Sequence, residues 1–133
     1  MKKQNESYEV SETGALKQNA GKVPMELLPP RWKELLAEHL EFGARKKQPK
    51  PYGDGNWRKG GKASWLLAAA ERHLTKFEKG ENIDEESGSN HLVAAAANCL
   101  MLAELFELNR VEDDRLHKLP EYENNENITK DKK

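Results

Sequence analysis

Residues 90–109 read NHLVAAAANCLMLAELFELN, and this stretch decides the fold. The preceding Ser87-Gly88-Ser89-Asn90 offers several side chains able to cap a helix N-terminus. From His91 to about Asn109 the chain carries neither Pro nor Gly. Alanine has the highest helix propensity, and the run Ala94 to Ala97 also lets a second helix approach closely. The stretch therefore predicts one long, largely apolar helix at the centre of a bundle. Cys99 reads as one of its small core residues.

Two more helices follow on working outward. The upstream one opens after Gly60-Gly61, with Ser64 as an expected cap. It carries Trp65, Leu66, Leu67, Ala68 to Ala70, Leu74 and Phe77 and stops at Gly80. The first begins at Pro29-Pro30, where a proline's missing N–H costs nothing. It places Trp32, Leu35, Leu36, Leu40 and Phe42 at helical spacing and weakens at Gly43. A short fourth helix is expected over Val111 to Lys118. No alternating Val/Ile/Thr run of useful length signals a strand. The predicted fold is all-α, a small helical bundle of three main helices plus a short fourth.

Residues 1–20 and 118–133 lack periodicity and are rich in Lys, Glu, Asn and Gln. Both are expected to be disordered tails, because they bury too little apolar area to offset chain entropy. The domain is thus expected over 21–117, roughly 95–100 residues, close to the lower limit for a comfortable monomeric core. A homo-oligomer, dimer or tetramer, is the corresponding expectation. No apolar run reaches 18 residues free of charge, so no membrane span is predicted. Met1 to Asn19 do not read as a secretory signal, and the expected location is cytoplasmic. One cysteine excludes an intrachain disulfide or a CxxC knuckle.

The formal net charge of −1 hides a separation. Arg45 to Lys62 (RKKQPKPYGDGNWRKGGK) holds seven Lys/Arg against one Asp, +6, with Tyr52 and Trp57 among them. Glu78 to Glu86 (EKGENIDEE) holds five acids against one Lys, −4. The balance argues against a general nucleic-acid coat, whereas the basic loop suits phosphates and its rings suit stacking on a base. Its glycines match neither a P-loop nor a Rossmann turn. A loop kept basic for solubility is the plainer reading.

Glu38 and Glu41 share a helix face, and Glu81, Asp84, Glu85 and Glu86 follow the second helix. Clustered carboxylates suit Mg²⁺ or Mn²⁺ bridging to substrate phosphates, and equally a solvated charged face. His91 and Asn98, seven apart, share one side of the apolar helix. They read as base or phosphate contacts, or as an interhelical hydrogen bond. His73 sits mid-helix beside Arg72, while His39 and His117 read as surface residues.

Several blocks occur together in order: Lys22 to Pro30 (KVPMELLPP), Glu41 to Lys46 (EFGARK), Tyr52 to Trp57 (YGDGNW), Arg72-His73-Leu74, Gly80 to Asp84 (GENID), Glu86-Ser87-Gly88, His91-Leu92, Asn98 and Asp113-Asp114-Arg115. Together they resemble the phage dATP/dGTP diphosphohydrolase N-terminal-domain family, MazZ-like proteins related to the MazG all-α nucleoside-triphosphate pyrophosphohydrolases. The resemblance spans about residues 21–116. It implies hydrolysis of a purine (deoxy)nucleotide such as dGTP or dATP to the monophosphate and pyrophosphate. It also implies Mg²⁺ or Mn²⁺ held by helix-borne carboxylates, and an oligomer in the host cytoplasm.

On that basis Glu38, Glu41, Glu81 and Asp84 are the expected metal ligands, and Glu38, Glu41, Glu71 and His73 the expected catalytic groups. Lys46, Arg58 and Arg72 would neutralise phosphate, and Tyr52, Asn56, Trp57, His91 and Asn98 would contact base or sugar. Two departures stand out. About five residues around Lys47 to Pro51 look inserted, and the third helix offers His91-Leu92-Val93-Ala94 where MazG enzymes carry ExxD. Two alternatives accompany the hydrolase: a non-catalytic, nucleotide-sequestering protein, and a helical interaction module.

Overall fold

A computed structural model describes residues 8–122. The outer parts of both expected tails, 1–7 and 123–133, lie outside the described residues. Three α-helices dominate: α1 (Pro30–Glu41), α2 (Ala63–Glu78) and α3 (His91–Glu107). The all-α expectation holds. α3 packs most extensively on α2 and then on α1, and it supplies most of the core: Val93, Ala94, Ala95, Ala97 and Leu105. Ala63 and Ala70 of α2 are buried with them, so small side chains bring the two axes together. Cys99, expected inside, is exposed, because α3 is apolar all round yet covered only on part of its circumference.

The helix ends follow local chemistry. Pro30 opens α1, and the Asn90 side chain accepts from the Leu92 N–H at 2.7 Å to cap α3. Gly80, at φ +98°, ends α2. Ser64 does not cap α2. Asp114, arriving from beyond α3, takes the Ser64 N–H at 2.8 Å and the Ser64 hydroxyl.

Among the described residues, four two-residue strands escaped the sequence pattern, since two residues carry no period. β1 (Glu9–Val10) and β2 (Leu16–Lys17) pair antiparallel within the segment expected to be a tail. β3 (Gly61–Lys62) and β4 (Val111–Glu112) pair parallel and tie the start of α2 to the chain leaving α3. The expected fourth helix is therefore corrected. Val111 and Glu112 are strand, and only Leu116–Lys118 makes a 3₁₀ turn. Asp113 accounts for the gap, because it accepts from the Arg115 backbone N–H (3.3 Å) and guanidinium (2.8 and 2.9 Å), local bonds that compete with a helix.

Beyond α1 the chain widens into a π-helical turn, Phe42–Lys46. Its carbonyls at Gly43 and Ala44 receive the N–H groups of Tyr52 (3.0 Å) and Gly53 (2.8 Å). This ties the basic loop to the end of α1.

Candidate functional site

The end of α1, the basic loop, α2 and the acidic loop enclose a cavity of about 980 Å³ whose floor includes Asn98, Met101 and Leu105 of α3. The acidic loop is shaped by Asp84. Its carboxylate accepts from the Ser87 hydroxyl (2.7 Å) and the N–H groups of Ser87 and Glu86 (3.3 Å each). The basic loop is fixed by Arg45, which grips Asp54 through Nε (2.9 Å) and Nη2 (2.8 Å). Lys47 joins the two loops, with its Nζ 3.2 Å from Glu86 and 5.5 Å from the Tyr52 ring.

Of the expected site residues, Glu41, Tyr52, Asn56, Trp57, Arg72, His73, Asp84 and Asn98 line this cavity. Glu38 and Lys46 do not. They border a smaller groove of about 450 Å³ against the start of α3, which Glu41 also touches. Glu41 is ion-paired there to Lys46 at 3.1 Å. Glu71, Glu81, Arg58 and His91 are also outside the large cavity. Arg58 lies over the Trp57 ring and pairs with Glu104 at 3.6 Å. Asn98 is buried and donates to the Ala94 carbonyl at 2.9 Å.

His91 is completely buried behind His73. The two Nδ1 atoms are 2.9 Å apart, and His91 Nε2 meets Glu81 Oε2 at 2.7 Å. The expected four-acid metal set is not assembled. Among the described residues, no group of three or more His, Cys, Asp or Glu side chains is placed to hold a metal ion. Glu81 is taken by His91, and Asp84 by its own loop. The donors among the described residues do not fit a carboxylate cage.

His39 was expected at the surface and lies instead in the wall, half-buried, with Nδ1 2.8 Å from the Ser89 hydroxyl and its ring edge-on to His73. Its spacing from Leu35, Leu36 and Phe42 puts it on the inner face of α1, a signal present in the sequence. Lys76, one turn after Arg72 on α2, also lines the cavity, and the sequence reading missed it.

The electrostatics are those of neutral imidazoles beside a carboxylate. Burial lowers the His39 and His73 values, His73 and Lys47 adding to the effect at His39 and His91, Lys76 and Arg72 at His73, against the pull of Asp84. Burial opposes ionisation of Asp84, but the Ser87 hydroxyl, two backbone N–H groups and His73 outweigh it and hold the carboxyl below its usual value. An imidazole lowered on folding takes up protons more readily in the unfolded chain. Its contribution to stability is complete above about pH 6.5 and is lost as pH falls through the folded value. The urea midpoint is thus expected to drop between pH 7.5 and 5. A midpoint that stays level or rises contradicts this.

Comparison with known proteins agrees with the sequence motifs. The model of the family described as dATP/dGTP diphosphohydrolase, N-terminal, matches residues 12–115. A dATP/dGTP diphosphohydrolase of Salmonella phage PMBT28 is 35% identical over 100 residues, which are 75% of this chain and 32% of that protein. The chain thus spans about a third of the length of this curated relative. No solved structure matches. Over the segment that folds into the three helices and both loops, this chain belongs to the dATP/dGTP diphosphohydrolase N-terminal family.

Proposed function

We propose that the cavity binds a purine deoxynucleoside triphosphate, dGTP or dATP, and that the protein hydrolyses it to the monophosphate and pyrophosphate. The observation that carries the reading is the lining. Arg72 and Lys76 on one face of α2, with Lys47 opposite, form a cationic wall beside the rings of Trp57, Tyr52 and Trp65. Cations suit a polyphosphate, rings suit a base, and the amides of Asn56 and Asn98 suit its polar edge. The volume falls in the range of small-ligand sites. The name of the phage relative points to the same chemistry, which would take place in the host cytoplasm.

The test is to incubate the protein with each dNTP in Mg²⁺, Mn²⁺ or EDTA and to separate the products. Monophosphate plus pyrophosphate from a purine nucleotide is expected. The absence of a three-acid group among the described residues favours a second reading, a protein that sequesters the nucleotide. Recovery of intact nucleotide from the protein, without turnover, would establish that reading and overturn the first.

The oligomer is also proposed. Leu92, Ala96, Cys99, Leu100, Ala103 and Phe106 recur at helical spacing on an exposed side of α3, with Leu100 56% accessible. An apolar stripe of this kind on a small domain marks a contact surface. Light scattering should return a multiple of 15.2 kDa, and Leu100→Glu should return the monomer. A wild-type mass of 15.2 kDa overturns it.

A further inference from the structure

We infer that Glu81, His91 and His73 form a hydrogen-bonded relay in which the first two are positioning residues, setting His73 as the cavity's proton acceptor. The inference rests on the hydrolase reading above and assigns the direction of each bond. A carboxylate can only accept, so Nε2 of His91 carries the proton it donates to Glu81 at 2.7 Å. The His91 ring is fully buried between that acceptor and an imidazole, and the inferred relay gives it a single ring proton, on Nε2. Its Nδ1 is then a lone pair, which receives the Nδ1–H of His73 at 2.9 Å. That leaves Nε2 as the unprotonated nitrogen of His73, on a residue that lines the cavity.

The surroundings fit this role. Around His73 stand His39 of α1, Arg72 and Lys76 of α2, His91 of α3 and Asp84 of the acidic loop. The cations and burial keep the resting ring neutral, and Asp84 stabilises the charge it gains on accepting a proton. In the step itself, water gives its proton to His73 Nε2 as its oxygen bonds to the α-phosphorus. The bond from that phosphorus to the oxygen bridging to the β-phosphate breaks, and its electron pair leaves with pyrophosphate. His73 then releases the proton to solvent. Throughout, the Nδ1 proton stays on Nδ1, held by His91.

The relay explains why the expected roles of Glu81 as a metal ligand and His91 as a base contact have no counterpart in the structure. Both side chains are spent on orienting a third. Neither touches the cavity.

The test is a ¹⁵N–¹H correlation of the histidine rings in the intact protein at pH 7.5, read together with dGTP turnover. The wild type should show His73 protonated at Nδ1 and bare at Nε2. In Glu81→Gln the amide can either accept from or donate to His91, so His73 should become a mixture of tautomers. Its kcat should fall about 30-fold with KM unchanged, the size of effect typical of an outer-shell orienting group. A purely structural Glu81 would leave the tautomer and kcat where they were, and that result overturns the relay. So does a wild-type His73 protonated at Nε2. Absence of wild-type turnover overturns the hydrolase reading instead, and the wild-type tautomer still decides the relay.

Discussion

Gly60→Ala is expected to lower the melting temperature by about 12 °C or more, corresponding to a loss of roughly 3 kcal/mol in a domain of this size. Two effects combine. Gly60 has φ +104° and ψ 178°, a region open essentially to glycine alone. A Cβ there would also stand 2.2 Å from the Arg110 carbonyl oxygen, which is backbone and cannot swing aside. Gly80 separates the two effects, since it has φ +98° but no atom within 4 Å of its Cβ position. Gly80→Ala should therefore lose only the backbone preference, about 1 kcal/mol. Melting followed by circular dichroism ranks the pair. A Gly60→Ala protein that melts within 2–4 °C of the wild type, about 0.5 kcal/mol, would show that β3 does not depend on this close approach.

Arg72→Glu is expected to weaken binding of a non-hydrolysable dGTP analogue about 100-fold or more. A charge-assisted hydrogen bond to phosphate contributes about 1.5–3 kcal/mol, or roughly 10- to 150-fold, and the variant also sets a carboxylate against the polyphosphate. Arg72 is exposed at the cavity wall, so stability should shift by no more than about 0.5 kcal/mol. Calorimetric titration at two salt concentrations gives the affinity and its screening together. An unchanged dissociation constant would remove α2's cationic face from the site and overturn its proposed contact with the polyphosphate.

The three helices were legible because each carries its own punctuation: Pro29-Pro30, Gly60-Gly61, Gly80 and Asn90. β3 and β4 were not, because their pairing joins Gly61 to Val111 and leaves no local pattern. Much of the cavity's lining was legible by residue type: Tyr52, Asn56, Trp57, Arg72, His73, Asp84 and Asn98 all reach one cavity. Their number did not reveal how the acids are used. Spacing puts Glu81 and Asp84 three residues apart, but in a loop that spacing fixes no common direction. One turns to His91 and the other to Ser87. His39 shows the opposite error, since its polarity suggested solvent while its helical position pointed inward.

The parallel pairing of β3 with β4 also has a kinetic side. Helices form from neighbours in the chain, whereas Gly61 and Val111 meet only after the intervening segment has folded back, and the entropy of closing that loop comes before any return. This short seam should thus close after the transition state. Gly60→Ala would then act on the unfolding arm of a chevron and leave the refolding arm where it was. A slower refolding arm would instead place the seam in the nucleus. On the late-closing account, the seam stabilises the fold by delaying its opening.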